Sequence, residues 1–349
     1  MTMPQEPILN RLKSTSYPSR RFSVAPMIDV TDRHFRYLAR LLSNHALLYT
    51  EMITTGAILN GDQDYLLSYT DQEHPLALQL GGSNIDELAQ CARIGEDYGY
   101  DEINLNVGCP SDKVQNNMIG ACLMAHPTRV TECMQAMIEA VAIPVTIKHR
   151  IGIDDIDDYD LLAGFVAQVS QSGCETFIVH ARNAILKGLS PKQNREIPPL
   201  QYDKVYRLKA DFPHLEIIIN GGIDTIADCH LHLTHVDGVM LGRAANHNSA
   251  LLTQVDHQFY DSNLTAPARR EAALKYFAYM QQRHEQGTSL HHMSGHIMGL
   301  FQGIPGARAL RRHISDNIHG HNASIQVMYD ALGLIETVPT TITEITNQQ

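Results

Sequence analysis

The sequence predicts an α/β protein, a (β/α)8 TIM barrel followed by an all-helical C-terminal domain. Eight short β-rich runs recur within about 230 residues, with helix-like stretches between them. Most of these runs are near-continuously apolar, as expected of strands covered on both faces. Their polar and glycine-rich residues gather at the C-terminal ends, the rim where barrels carry their active sites.

The strand runs are 22–27 (FSVAPM), 46–52 (ALLYTEM), 75–81 (PLALQLG), 102–109 (EINLNVGC), 144–150 (PVTIKHR), 176–181 (TFIVHA), 216–222 (EIIINGG) and 238–243 (GVMLGR). A helix is predicted over 84–97, with Asn84 as N-cap, Glu87 three residues on, and apolar Ile85, Leu88, Ala89, Ala92 and Ile94. Residues 128–141, 157–172 and 224–233 read as helices on the same pattern. After about residue 262 the character changes. Residues 268–285 form a helical pattern, and two more helices follow, broken at Gly303-Ile304-Pro305-Gly306. The expected organisation is an N-terminal extension at 1–20, a barrel at 21–262, a helical domain at 263–335 and a flexible tail at 336–349.

A chain of 349 residues, 44% hydrophobic and 19% charged, has the apolar content for a barrel-sized core plus an appendage. No apolar run approaches membrane-spanning length, and the N-terminal stretch with Pro4, Asn10, Arg11 and Lys13 lacks a signal-peptide core. The expectation is a cytoplasmic, monomeric protein with no membrane partner. Six cysteines without a C-x-x-C pair argue against a disulfide framework and a zinc ribbon. Cys91, Cys122, Cys133, Cys174 and Cys229 read as small core residues. His291, His292 and His296 lack the H-E-x-x-H pattern, so they read as surface or RNA-facing histidines and no metal is expected. Net charge is −11, yet residues 266–321 hold seven Lys/Arg against three acidic residues. An acidic body with a basic C-terminal module is compatible with nucleic-acid binding on one face.

The rim residues carry the chemistry. Asn220-Gly221-Gly222 after strand seven and Gly242-Arg243 after strand eight occupy the usual phosphate position of a barrel, or are simply tight βα turns. Lys148 ends strand five, where a buried ammonium needs an anion: a reduced flavin, or a structural ion pair. Gln79 can bond the polar edge of an isoalloxazine ring or be a strand-end polar group. Pro26-Met27 can pack under the ring, and His180 can contact cofactor or substrate or be a satisfied core histidine. Cys109 stands in Asn106-Val107-Gly108-Cys109-Pro110, a tight turn that presents its thiol. Beside a flavin, that thiol suits proton delivery to a carbon next to one receiving hydride.

With these residues in hand, the sequence resembles the tRNA-dihydrouridine synthases, and among them the bacterial A class. The matching stretches are APMIDVTDRHFR, LYTEM, PLALQLGG, DEINLNVGCPSDKVQN, GACLM, IKHRIG, IVHARNAILKGLSPKQNREIPPL, INGGI, LGRAA and GLFQGIPGARALRRH, from about residue 22 to 315. The resemblance implies bound FMN, NADPH as reductant, and tRNA as substrate, with hydride passing from flavin N5 to C6 of a D-loop uracil around positions 20 and 20a. Cys109 would protonate C5. Pro26, Met27, Ile28, Gln79, Lys148, His180, Asn220, Gly221, Gly222, Gly242 and Arg243 would bind FMN. Asn106 would meet the flipped uracil or its ribose. Lys187, Lys192, Arg195, Arg308 and Arg311 would contact tRNA phosphates. The chain departs from the family pattern at Asn117-Met118-Ile119, at Gly295 and at Asn246-His247-Asn248-Ser249.

Two rival readings remain. One is an FMN barrel reductase of a small molecule, of the dihydroorotate-dehydrogenase kind, which has no need of a basic helical appendage. The other is a catalytically dead RNA-binding or RNA-folding module, which has no need of Cys109 and Lys148.

Overall fold

Eight parallel strands follow one another around a ring in the computed structural model, which describes residues 18–111, 118–154, 158–261, 263–319 and 323–335. They are β1 (Phe22–Val24), β2 (Leu48–Thr54), β3 (Leu76–Gly81), β4 (Glu102–Val107), β5 (Val145–Arg150), β6 (Thr176–His180), β7 (Glu216–Asn220) and β8 (Gly238–Leu241). Each pairs with its sequence neighbour from β2 to β8, and β8 returns to β1. A parallel bridge between Ser23 and Leu47 closes the ring, with Val24 N–H donating to the Leu47 carbonyl at 2.9 Å. The predicted (β/α)8 barrel is the observed one. Several strands end earlier than their sequence runs, so Pro26, Met27, Cys109, Gly221, Gly222 and Gly242 lie in the loops beyond the ladder and Arg243 opens the helix that follows β8.

The helices between strands are α1 (Arg33–Leu42), α2 (Thr55–Asn60), α3 (Gln63–Leu67), α4 (Ile85–Asp97), α5 (Pro127–Ala140), α6 (Tyr159–Ser170), α7 (Tyr202–Asp211), α8 (Ile226–His232) and α9 (Arg243–His247). The side chain of Asn84 caps α4 by accepting the Glu87 N–H at 3.2 Å, as the sequence pattern predicts. α1 has no counterpart among the helices the sequence predicts, because its buried face carries cations. Arg36 pairs with the fully buried Glu73 at 2.7 Å, and Arg40 donates to the carbonyls of Ser43, Ala46, Glu73 and Pro75. These partners compensate the buried charges that break the apolar period.

Strand alternation divides the residues of β4 and β5 into two sets. Ile103, Leu105, Val107, Val145 and Ile147 join the core beneath the helices. Glu102, Asn104, Asn106 and Thr146 are hydrogen-bonded to one another or to Gln79 inside the barrel. Beside these polar groups, Ala25, Leu47, Tyr49, Ala77, Ile178, Ile218 and Met240 form an apolar cluster. The near-continuous apolar reading of these strands therefore holds for only part of the ring. At the entry to β1, buried Arg20 pairs with Glu102 at 2.6 Å and with Glu216 at 3.0 Å.

The C-terminal helices are α10 (Arg269–Glu285), α11 (Leu290–Ser294), α12 (Ala307–Asn317) and α13 (Gln326–Gly333). A 3-10 turn over Gly295–Phe301 extends α11, and the break before α12 falls where the Gly-Ile-Pro-Gly segment predicts it. α10 packs against α1, with Tyr37 and Tyr279 stacked at 3.9 Å and His34 Nδ1 2.8 Å from the Tyr279 hydroxyl. His296 is buried at this junction, 3.1 Å from Asp32, which corrects its reading as a surface histidine. No described helix is long and apolar enough to cross a membrane. Residues 1–17 of the N-terminal extension, Asn117, and the tail at 336–349 lie outside the described residues.

Candidate active site

Cys109 follows β4 on a loop that is tied down on several sides. Asn106 Oδ1 accepts the backbone N–H of Gly108 at 3.0 Å and of Cys109 at 2.9 Å. Arg150 Nε donates to the Gly108 carbonyl at 3.2 Å, and Ala121 N–H donates to the Cys109 carbonyl at 2.9 Å. Gly120, with φ +84°, makes that approach feasible, since a Cβ there would stand 2.4 Å from the Cys109 oxygen. The thiol itself is half-buried, as a presented group should be.

Positive charge gathers around this loop. Burial pulls the Lys148 ammonium down to about 7, the Arg150 guanidinium adds to the effect, and Cys109 opposes it. No carboxylate among the described residues acts on Lys148, so a structural ion pair does not account for it. His180 is held neutral, well below the ordinary imidazole range, by burial and then by Arg150 and Lys148. Among the described residues its Nδ1 is buried without a hydrogen-bond partner, unlike that of a satisfied core histidine. Arg150 is itself buried, and desolvation lowers it to about 10.

The other strand ends complete the rim. Gln79 is tied on both sides, donating from Nε2 to Asn104 at 2.7 Å and accepting from Asn106 Nδ2 at 2.8 Å. Pro26 and Met27 are half-buried and Ile28 is exposed. Met27 Sδ lies 3.7 Å from where a Cβ on Gly242 would be, which brings the ends of β1 and β8 together. Asn220 Nδ2 donates to the Met240 carbonyl at 2.7 Å. Gly221, with φ +113°, lies under the His180 ring, which a Cβ would approach to 3.2 Å. Gly222 also has positive φ. Arg243 pairs with Glu196 at 2.8 Å on the partly exposed rim.

Of the expected RNA-contacting cations, Lys187, Lys192 and Arg195 are exposed on the long connection from β6 to α7. Arg195 is lowered by burial and by Arg243, with Glu196 and Cys109 opposing, so it lies within electrostatic range of the thiol. Arg308 and Arg311 lie on α12, Arg308 exposed and Arg311 donating to Gln302 at 3.1 Å. Arg150 is a site residue that the sequence reasoning misses, although its motif is visible. It also donates to the carbonyls of Asn183 and Asn194, so it clamps the cysteine loop to the β6–α7 connection. Counting inward positions at Thr146, Lys148 and Arg150 along β5 is the available signal. Cys91, Cys133, Cys174 and Cys229 are buried core residues, whereas Cys122 is half-buried. His291 and His292 are exposed. Among the described residues no three His, Cys, Asp or Glu side chains converge as metal ligands do.

Comparison with known proteins agrees with this geometry. Residues 23–335 match the family model described as dihydrouridine synthase. The chain is 56% identical over 320 residues to a Yersinia pestis protein named tRNA-dihydrouridine(20/20a) synthase, covering 91% of this chain and 92% of that one. A Pseudomonas aeruginosa protein of the same name is 56% identical over 91% of this chain and 96% of its own length. The Escherichia coli K12 protein of that name is 55% identical over 93% of this chain and 94% of its own.

Proposed function

This chain belongs to the dihydrouridine synthase family, and we propose that it is a tRNA-dihydrouridine(20/20a) synthase with FMN as cofactor and NADPH as reductant. The observation that carries the reading is a rigidly looped thiol beside Lys148 and Arg150, on neither of which a described carboxylate acts. Lys148 without a carboxylate and His180 with an orphaned Nδ1 are groups a protein leaves for an anionic, hydrogen-bonding occupant. The residues present fit FMN. Lys148 and Gln79 would bond its ring, Pro26, Met27 and Ile28 would line its face, and His180 would reach its phosphate or the substrate. Asn220, Gly221, Gly222, Gly242 and Arg243 would cradle the phosphate. When bound, the flavin supplies hydride chemistry, which NADPH replenishes.

The protein's own part is position and proton supply. Asn106 holds the N–H groups of Gly108 and Cys109, so the thiol stands on a loop with few alternatives. Reduction of the uracil C5–C6 double bond adds hydride at C6 and a proton at C5, and Cys109 gives the proton. The thiolate left behind lies within electrostatic range of Lys148, Arg150 and Arg195, and solvent returns its proton. Asn106 has one Nδ2 hydrogen bonded to no described residue beyond its bond to Gln79, and it would donate to the flipped uridine.

Lys187, Lys192, Arg195, Arg308 and Arg311 would grip the phosphates, the last two from the basic helical domain. We infer that residues 21–262 form the catalytic unit and 263–335 the tRNA-binding unit of a cytoplasmic monomer. The test is dihydrouridine mapping at D-loop positions 20 and 20a in tRNA from a strain lacking the gene. The modification should vanish and return with the gene; tRNA still modified in the deleted strain would overturn the reading.

A further inference from the structure

A single line of buried hydrogen bonds crosses the barrel interior from its entry to the cysteine loop. At one end the N–H groups of Gly108 and Cys109 donate to Asn106 Oδ1. Asn106 Nδ2 then donates to Gln79 Oε1 at 2.8 Å, and Gln79 Nε2 to Asn104 Oδ1 at 2.7 Å. Asn104 Nδ2 donates to Thr146 Oγ1 at 2.8 Å, and the Thr146 hydroxyl to Glu102 Oε1 at 2.6 Å. The line ends on that carboxylate. Glu102 is fully buried, its other oxygen held by Arg20 at 2.6 Å, while Tyr49 also donates to Oε1 at 2.7 Å.

The two ends have opposite and unalterable characters. Backbone N–H groups can only donate, and an ionised carboxylate can only accept. Every member between them, three amides and a hydroxyl, can work in either direction by turning over. With both ends fixed, only one direction satisfies every bond; the reverse keeps the three bonds among the middle members but loses those at both ends. Register makes the line continuous, because Gln79 lies opposite Asn104 and Asn104 opposite Thr146.

We propose that Glu102, acting through Thr146, Asn104 and Gln79, fixes the amide orientation of Asn106 and thereby the position of Cys109. These four are positioning residues for the proton donor, two of them at the barrel's far end. The proposal rests on the reading of Cys109 as that donor. It adds that the amide of Asn106 faces its substrate as a donor because a carboxylate deep in the barrel dictates its direction.

The experiment compares the holoenzyme with Thr146→Val, which keeps the shape and removes the hydroxyl, and with Thr146→Ser, which restores it. Alkylation of Cys109 by iodoacetamide is followed across pH by mass spectrometry of its peptide, without tRNA. Thr146→Val should change the alkylation rate about threefold or more, because the thiol's surroundings are no longer held. Its kcat on tRNA should fall roughly tenfold with KM little changed, as displacement of a catalytic group does. Thr146→Ser should bring both back. Alkylation and kcat equal to wild type in Thr146→Val would overturn the proposal. If Thr146→Val fails to fold, Glu102→Gln is measured in its place, since a terminal amide no longer enforces one direction. The same changes in alkylation and kcat are expected of it, and wild-type values for both would overturn the proposal. An alkylation response in a protein that makes no dihydrouridine would keep the positioning line and remove the substrate reading on its own.

Discussion

Asn106 Oδ1 accepts the backbone N–H of Cys109 at 2.9 Å, so the residue assigned to the flipped base also sets the thiol beside it. Substrate recognition and proton delivery share one side chain. Asn106→Ala removes the acceptor of two backbone N–H groups, each worth about 1–3 kcal/mol if left unsatisfied. We expect kcat for dihydrouridine formation to drop roughly a hundredfold or more, as for a displaced catalytic group. NADPH-driven flavin reduction should be nearly unchanged, and stopped-flow absorbance separates the two half-reactions.

Lys148 gives a pH signature to the ligand-free protein. Its folded value near 7 lies below that of the unfolded chain, so the unfolded state binds the extra proton between them. The cost to stability is complete below about pH 7 and is relieved as pH rises towards 10. Lys148→Met should therefore stabilise the apoprotein at pH 7 by on the order of 1 kcal/mol, discounted because the side chain is half-buried. That gain should shrink at pH 10, and the variant should retain less flavin. Thermal melts at the two pH values and flavin absorbance after desalting check both halves.

Arg308→Glu with Arg311→Glu should weaken tRNA binding and reduce the slope of log affinity against log salt by about 2. Single-turnover reduction at saturating tRNA should stay close to wild type, because both residues lie on α12 and not on the strand ends that carry the thiol. Filter binding over a salt series measures the slope, and an unchanged slope would remove α12 from the RNA interface.

Asp32 joins the barrel to the helical domain. It caps α1 through the N–H groups of His34 and Phe35 and faces His296 at 3.1 Å. Its carboxyl is held below its ordinary range: burial opposes this, but His296 and the Phe35 N–H outweigh it. This stability is present above the unfolded carboxyl value and is lost as pH falls through the folded one. Asp32→Ala should cost about 1–2 kcal/mol in urea denaturation at pH 7, and Asp32→Asn less, because the amide oxygen still caps.

The fold is legible in the sequence because strand runs and glycine-rich ends recur with barrel spacing, and that rhythm alone picks out Gln79, Cys109, Lys148 and His180 as rim positions. What stays hidden depends on compensation across the structure. α1 is invisible because Arg36 and Arg40 face inward, and the Glu73 carboxylate and five carbonyls make that tolerable. Glu102, Asn104 and Thr146 are absorbed into apolar runs, since nothing local reveals that residues 25 to 44 positions apart satisfy each other. Arg150 and Glu196 escape notice for the same reason. Gly108, the partner of Arg150, lies on a loop, and Arg243, the partner of Glu196, opens α9; the closed ring sets both approaches.

The central claim is that Cys109 supplies the proton to C5, and Cys109→Ala tests it most directly. In the purified holoenzyme, flavin reduction by NADPH and tRNA binding should match wild type, while dihydrouridine measured by mass spectrometry of tRNA digests should fall by two orders of magnitude or more, the scale of general-acid catalysis. Undiminished dihydrouridine from Cys109→Ala would contradict the account.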